Sequence, residues 1–456
     1  MDVSFKEEGM RIYDLVIVGA GTGGCLTAKT AAKQGLKVCL IDAKDTATVG
    51  EKACGDAVGK HHFDNLGLTY PKGGELAWEL KGSRVFSPDL QTVFKIEGLG
   101  ASAFMVNRLM FGQRLLREAM DAGAAFFDRT LALKPIIEKG FIRGVLARNS
   151  SNEKTAFHAQ VTVDASGVQA VLRKQLPVSF GVEVQVKDRD MELAYRELRK
   201  LKNPLATPEY GDICVSQEIA PGGYAWVFPE GDYIVNTGLG VQMKPGHPHP
   251  REQFYRFLKQ HPDLQDSTIL DGRGALVPTR RPLLCLVANG FMAVGDAACQ
   301  VNPIHGGGIG PSMTAGKFAA ETAVKAIAVG DVSREGLWGY NIAYMRGYGA
   351  KQATLDIFRS FLQRAGDEEL RYGMSHYIIK EEDVLRASLY GEVRLNITEK
   401  ARRFFRARGK LRFLLELRNT AKRMSRVKAH YLRFPEPTGY SAWLKENLRL
   451  FRVLSD

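Results

Sequence analysis

The 456-residue chain has only six cysteines, Cys25, Cys39, Cys54, Cys214, Cys285 and Cys299, scattered without a CxxC pair or metal-ligand spacing. That scarcity argues against a zinc site, an iron–sulfur cluster or a disulfide framework, and it points to a reducing cytoplasm. Long apolar runs are missing too. The longest uncharged apolar stretch, Pro282 to Val294, has 13 residues, against roughly 20 needed to cross a bilayer. The opening "MDVSFKEEGMRIYDLVIVGAG" carries acids and no extended apolar segment, so a secretory leader is not expected. Internal repeats and low-complexity tracts are absent as well. With 45% hydrophobic and 25% charged residues, the composition is that of a globular chain long enough for two or three domains.

Acidic residues are scarce in one place. Between Lys400 and Arg433 there are 13 Lys and Arg against the single acid Glu416, so this segment carries nearly all of the net charge of +13. Aromatics are interleaved with its charges, as in "ARRFFRARGKLRFLLELR". Such a stretch is either a helix with a solvated basic face or a contact surface for an anionic membrane or a nucleic acid.

What is present begins with "YDLVIVGAGTGGCLTAKTAAKQGLKVCLIDAK". A buried strand from Leu15 to Val18 runs into Gly19-Ala20-Gly21-Thr22-Gly23-Gly24. An alanine-rich helix then stops at Gly35, and a second strand from Lys37 to Ile41 ends on Asp42. Gly19 permits the tight turn, Gly21 lets the backbone approach a pyrophosphate, and Gly24 lets helix and strand pack closely. The helix N-terminus, entered at Thr22, turns free N–H groups toward the phosphates. Asp42, 18 residues after Gly24, is spaced to accept a ribose hydroxyl. The pattern predicts a Rossmann-like α/β domain that binds an ADP moiety. A second loop, "GLGASA" from Gly98, has the right letters but no clear helix after it, and reads as a turn.

Two further strand ends, "VTVDASG" with Asp164 and "GFMAVGDAACQVNPIHGGGIG" with Gly295-Asp296, resemble the second and third FAD contacts of the flavoprotein hydroxylase superfamily. That resemblance implies FAD held also by Arg108, Ala132, the Ala53-Cys54-Gly55-Asp56 loop and Gly307-Gly308-Ile309. The helix beginning near Gly310 would face the flavin with its positive end. Arg108 reads equally as a surface arginine at the start of an amphipathic helix. Between Ser179 and Gly274 short alternating segments predict an inserted antiparallel sheet, the usual place for a substrate layer. The expected layout is therefore an FAD domain from 1–178 and 275–330, a substrate sheet from 179–274 and a helical domain from 331–456.

"PGGYAWVFP" narrows the reading. Side chains alternate faces along a strand, so Tyr224, Trp226 and Phe228 share one face as either core filling or an apolar wall above a flavin. Here the chain resembles the archaeal geranylgeranyl reductases of the digeranylgeranylglycerophospholipid reductase family, which carry a PxxYxWxFP signature. The matching residues are Pro221, Tyr224, Trp226, Phe228 and Pro229, and Cys54-Gly55-Asp56 matches a Cys-Gly-Asp loop of the family. "GALVPTRRP", "NPIHGGG" and "YGAKQATLDIFRSFLQ" also resemble family segments.

The resemblance implies an FAD-dependent reductase that saturates geranylgeranyl chains of ether-lipid precursors. Electrons would come from NAD(P)H or reduced ferredoxin. Cys54 would face the flavin ring as proton donor or water gate, and His305 and Gly306 would lie beside the lipid. An isolated alkene needs hydride on one carbon and a proton on the other, in a dry site with aromatic faces that tolerate positive charge. The expected setting is the inner face of the cell membrane, reached through the basic segment, with no metal and no nucleic acid. Two other readings are a flavin monooxygenase or halogenase, and a flavin-containing binding protein with no reductase activity.

Overall fold

The computed structural model describes residues 11–98, 100–392 and 410–452. The predicted nucleotide-binding unit is present. Strand Arg11–Val18 lies between Val38–Ile41 and Lys154–Asp164 and runs parallel to both. Ala125–Phe127 extends the sheet beyond Val38–Ile41, and Phe291–Ala293 extends it beyond Lys154–Asp164. The chain thus leaves the central strand toward one edge and returns on the other. The carboxyl end of Arg11–Val18 is the switch point where open α/β sheets bind ligands.

The turn there needs glycine for two separate reasons. Gly19 has φ +105°, and a Cβ on it would sit 2.4 Å from the Ala165 carbonyl oxygen. A Cβ on Gly24 would lie 1.9 Å from the Gly19 oxygen. Helix Thr22–Lys33 therefore rests directly on the turn that introduces it. Its other side packs against helix Ile309–Ala328, where Gly316 faces the Gly23 oxygen.

The second sheet runs in the order Thr268–Val277, Glu192–Lys200, Ile234–Gln242, Ala225–Pro229, Tyr210–Cys214, Gly82–Phe86, Val93–Ile96. Two features differ from the expected layout. Strands Gly82–Phe86 and Val93–Ile96 come from the first 178 residues, and Gly82–Phe86 pairs parallel to Tyr210–Cys214. Thr268–Val277 also overruns the boundary at 274. Alternation within a segment reveals a strand but not its partner across the sequence, so the compositional shift at 179 misses the recruited edge.

One face of this sheet buries Ala225, Val227, Val235 and Leu239 beneath Phe254, Phe257 and Leu258 of helix Pro250–Gln260. The opposite face carries Trp226 and Phe228 against Leu80 and Met105. Those last two belong to a small sheet formed by Ala57–Gly59, Ala103–Val106 and Leu76–Leu80.

From residue 331 onward the described residues contain no strand. Helix Leu411–Leu432 lies along Ala350–Leu362 with Phe413, Leu414, Leu417, Met424 and Val427 buried. Phe413 packs against Phe361 in a tilted arrangement, with ring centroids 5.5 Å apart. Phe413 and Leu414, two of the apolar residues interleaved in the basic stretch, are thus core residues of the helical domain. The helix is amphipathic, and its apolar stripe is spent on tertiary packing. Phe404, Phe405, Arg402, Arg403, Arg406 and Arg408 lie outside the described residues. No helix among the described residues is long and apolar enough to cross a membrane, and none of their His, Cys, Asp and Glu side chains cluster as metal ligands.

Candidate active site

A cavity of about 340 Å³ opens where the nucleotide unit, the second sheet and the helical domain meet. Thr22 and Arg108 reach it from the nucleotide side, and Asp296 and the loop His305–Gly308 from the third contact segment, with Ile309 starting the helix behind them. Ala53, Cys54, Gly55 and Asp56 form one wall, and Tyr224, Trp226 and Phe228 form another.

The aromatic wall has the alternation read from the sequence. Neighbouring ring centroids are 5.9 Å apart for Tyr224 and Trp226 and 6.1 Å for Trp226 and Phe228. Tyr224 donates its hydroxyl to the His305 carbonyl oxygen at 2.7 Å, which ties this strand to the glycine loop. His305 Nδ1 in turn accepts from Gly307 N at 3.1 Å. The two walls also touch. A Cβ on Gly55 would stand 3.3 Å from Phe228 Cε2 and 3.7 Å from Trp226 Nε1, so a larger residue there would press on the rings.

Five of the six cysteines are buried in the core, and Cys54 is the exception. Burial and the neighbouring Asp56 push its thiol above the ordinary range. Asp56 N donates to Cys54 Sγ at 3.3 Å, which closes the loop into a tight turn with Asp56 at φ +61°. Burial also pushes the Asp56 carboxyl up to about 7, helped by Glu230 and opposed by Arg108 and Arg196.

The nucleotide side of the site fits a bound dinucleotide. Nothing lies within 4 Å of where a Cβ on Gly21 would project, which leaves the backbone open to a close ligand. Arg108 Nε and Nη1 are buried without a partner among the described residues, an arrangement that a bound anion relieves. Arg108 is thus a cavity residue rather than a surface one. Asp296 Oδ2 meets Lys52 Nζ at 2.6 Å across the entrance.

The remaining predicted contacts sit farther back. Asp42 Oδ2 accepts from Ala20 N at 2.7 Å and Oδ1 from Lys44 N at 2.8 Å, at the end of its strand. Ala132 is buried on strand Leu131–Glu138, which starts one residue after Thr130, whose N–H bonds the Asp42 carbonyl. Asp164 is fully buried. Its carboxylate takes Ser166 N and Oγ on one oxygen and Leu172 N and Arg173 N on the other. It shapes the loop under Gly19 and turns no free oxygen toward the cavity. Gly295, Pro221 and Pro229 frame the segments without lining the space, whereas Gly306 lines it.

The geranylgeranyl reductase catalytic domain family matches residues 190–277, and the lycopene cyclase protein family matches residues 14–203. Digeranylgeranylglycerophospholipid reductase of Sulfolobus acidocaldarius is 42% identical over 437 residues, which cover 95% of this chain and 96% of that protein. The chain belongs to the digeranylgeranylglycerophospholipid reductase family. The reductase of that name from Methanothrix thermoacetophila is 32% identical and covers 84% of this chain and 95% of its own length.

Among solved structures, a geranylgeranyl bacteriochlorophyll reductase-like protein from Thermoplasma acidophilum superposes with a TM-score of 0.77 at 24% identity. It covers 90% of this chain and all of its own. The myxobacterial chondrochloren halogenase superposes with a TM-score of 0.62 at 19% identity, covering 92% of this chain and 97% of its own. These likenesses establish the flavoprotein hydroxylase-like fold, and membership of the reductase family makes the chain an oxidoreductase.

Several residues in and behind the cavity walls of this family member carry no motif. Asn236, in the middle of a buried strand, donates from Nδ2 to Asp56 Oδ2 at 2.7 Å and to the Cys54 carbonyl at 3.0 Å. Its one advance signal is an amide inside the apolar run "YIVNTGLGV". His61, His62, Tyr348 and Lys351 also line the cavity. Burial lowers the His62 imidazole to about 3, His305 to about 4 and the Lys351 ammonium to about 8. The histidines are therefore neutral near pH 7, while Lys351 keeps most of its charge and has no ion-pair partner among the described residues.

Proposed function

We propose that the protein saturates the isolated double bonds of geranylgeranyl chains in archaeal ether-lipid precursors, using FAD. The observation that carries this reading is the single cavity where the Cys-Gly-Asp loop meets the aromatic strand, at the mouth of the nucleotide-binding turn. The Gly19–Gly24 turn, Asp42, Arg108 and Asp296 would hold the cofactor, which when reduced supplies the hydride. The side chains supply the rest. Tyr224, Trp226 and Phe228 present ring faces to an alkene that gains positive character as it is protonated, an interaction worth about 0.5–2 kcal/mol per well-placed ring. They also exclude water.

Cys54 lies on the wall between this apolar face and the glycine loop, and we assign it the handing of a proton to the alkene. A thiol raised above its usual range stays S–H at neutral pH, so it donates only when it is replenished. Lys351, with His61 and His62 as neutral hydrogen-bond donors, fits the phosphate of a lipid head group. NAD(P)H or reduced ferredoxin would restore the cofactor, and the lipid would be drawn from an anionic membrane surface that the basic segment contacts.

The test is anaerobic. The purified protein should carry a flavin spectrum, and acid should release all of the colour as FAD. After reduction with dithionite, a digeranylgeranyl glycerophospholipid should reoxidise the flavin and gain two hydrogens per double bond by mass spectrometry. Reoxidation that needs oxygen, with a hydroxylated or halogenated product, would favour the monooxygenase or halogenase reading that the fold alone also permits.

A further inference from the structure

The hydrogen-bond arithmetic behind Cys54 does not close with all groups ionised. Trp226 Nε1 donates to Asn236 Oδ1 at 3.1 Å, and an indole N–H can only donate. The amide of Asn236 is thereby fixed in one orientation, with Nδ2 turned toward the Cys-Gly-Asp loop. Nδ2 has two hydrogens but three acceptors within reach: the Cys54 carbonyl at 3.0 Å, Asp56 Oδ2 at 2.7 Å and Glu230 Oε1 at 3.3 Å. One donor is missing. Asp56 Oδ1 is also buried and has no hydrogen-bond partner within ordinary geometry among the described residues. Two carboxyl groups around a single amide, one with a bare buried oxygen, form a set that accommodates an extra proton and penalises its loss.

We propose that Asp56, oriented by Asn236 and Trp226, is the store of the proton that alkene saturation consumes, and that it recharges the Cys54 thiol. This rests on the reductase reading above. Cys54 and Asp56 share one wall of the cavity, Asp56 Oδ1 is shielded from solvent, and Cys54 Sγ accepts from Asp56 N at 3.3 Å, so the thiol is the adjacent group through which the proton passes.

The step balances. With the hydride that a bound reduced cofactor would supply to one alkene carbon, the S–H bond of Cys54 would break as a C–H bond forms on the other. The O–H bond of Asp56 breaks as the S–H bond is restored, and water later returns a proton to the carboxylate. The charged and titratable groups facing Asp56 are Glu230, Arg108, Arg196 and Cys54. Burial and Glu230 hold the proton on, while the two arginines set a limit to how firmly. The Asp56 carboxyl titrates at about 7, within the range where a store can both give and refill. Asp56 acts through Cys54 and is a positioning residue in this scheme.

The experiment is an infrared titration of the full-length protein as purified, oxidised and without lipid, followed by stopped-flow reoxidation with lipid. Carbonyl stretches of protonated carboxylic acids should disappear with midpoints of about 7 for both Asp56 and the buried Glu192; Asp56→Asn should remove the Asp56 band, and Glu192→Gln should leave it. In Glu230→Gln, which removes the like charge, the Asp56 midpoint should fall by about one pH unit. Cys54→Ala should keep the Asp56 band.

Alkene-dependent reoxidation in the wild type should fall as pH rises through that midpoint. It should drop by about 100-fold in Asp56→Asn and lose its pH break. If Asp56→Asn does not fold, Glu230→Gln still decides, because the infrared midpoint and the kinetic break must move together. A midpoint near the ordinary aspartate value, or a break that stays put in Glu230→Gln, overturns the proposal. A wild type with the band at about 7 but no reoxidation by lipid would overturn the reductase reading instead.

Discussion

Gly21 and Gly24 stand three residues apart in one turn, yet an added methyl should do opposite things at the two positions. At Gly24 the new carbon would meet the Gly19 oxygen at 1.9 Å and the Gly19 carbonyl carbon at 3.1 Å. Both are backbone atoms, and a relaxed carbon–oxygen contact needs about 3.3 Å. Neither partner has room to yield. Gly19 is pinned by the Ala165 oxygen, which a Cβ there would meet at 2.4 Å, and helix Thr22–Lys33 is backed by Ile309–Ala328. Overpacking of this kind costs about 1–3 kcal/mol, and a contact this short belongs at the upper end. Gly24→Ala should therefore lower the melting temperature of the flavin-free protein by about 3 °C.

At Gly21 nothing lies within 4 Å, and φ −73°, ψ −178° suits any residue. The position is the N-cap of the helix, so alanine there costs at most about 1 kcal/mol in the free protein. It would, however, put a methyl group where the cofactor pyrophosphate must approach. Gly21→Ala should weaken FAD binding by about 10–100-fold while leaving the fold nearly intact. Thermal unfolding of flavin-free protein and fluorescence titration with FAD separate the two effects. Equal destabilisation by both variants, or wild-type FAD affinity in Gly21→Ala, would refute the reasoning.

Three further outcomes follow. Arg108→Gln removes a guanidinium with buried unpaired nitrogens, so it should weaken FAD binding about tenfold or more in a fluorescence titration without lowering the stability of the flavin-free protein. Asp56 has its folded pKa raised to about 7, so its contribution to stability is fully present below about 4 and is lost as pH rises through 7. Asp56→Asn should accordingly melt higher than the wild type at pH 8 and no higher at pH 4. Vesicle co-sedimentation should show binding to anionic but not neutral lipid, weakening as salt rises, and lost when Arg402, Arg403, Arg406 and Arg408 are changed to Gln.

The parts of the fold that were legible are those in which one local pattern carries its own physical reason. A strand, a glycine turn, a helix and an acid at fixed spacing describe a phosphate site by themselves. Gly82–Phe86 was not legible as part of the second sheet, because its register with Tyr210–Cys214 spans more than a hundred residues and leaves no periodic trace. The basic segment was only half legible. Two of its charges are drawn into ion pairs, Lys410 with Glu368 at 2.8 Å and Lys428 with Glu392 at 2.6 Å, which the charge count does not reveal. The aromatic and aliphatic residues between them have two readings in sequence, membrane and core. Helical spacing favours the core for Phe413 and Leu414, since they recur with Leu417, Met424 and Val427 on one stripe.

The candidate site divides along the same line. Alternation along a strand suffices to put Tyr224, Trp226 and Phe228 on one face, but it does not explain why the middle ring is an indole. A phenylalanine would fill the same apolar wall, and a tyrosine hydroxyl both gives and accepts. Only an indole donates without accepting, so only tryptophan at 226 forces the Asn236 amide to point its hydrogens at Cys54 and Asp56. The aromatic strand and the Cys-Gly-Asp loop, about 170 residues apart in sequence, are thus coupled by a residue that belongs to neither. Hydrogen-bond complementarity is a property of a triple in space. It leaves no spacing to read, and Asn236 surfaces only when the three residues are seen together.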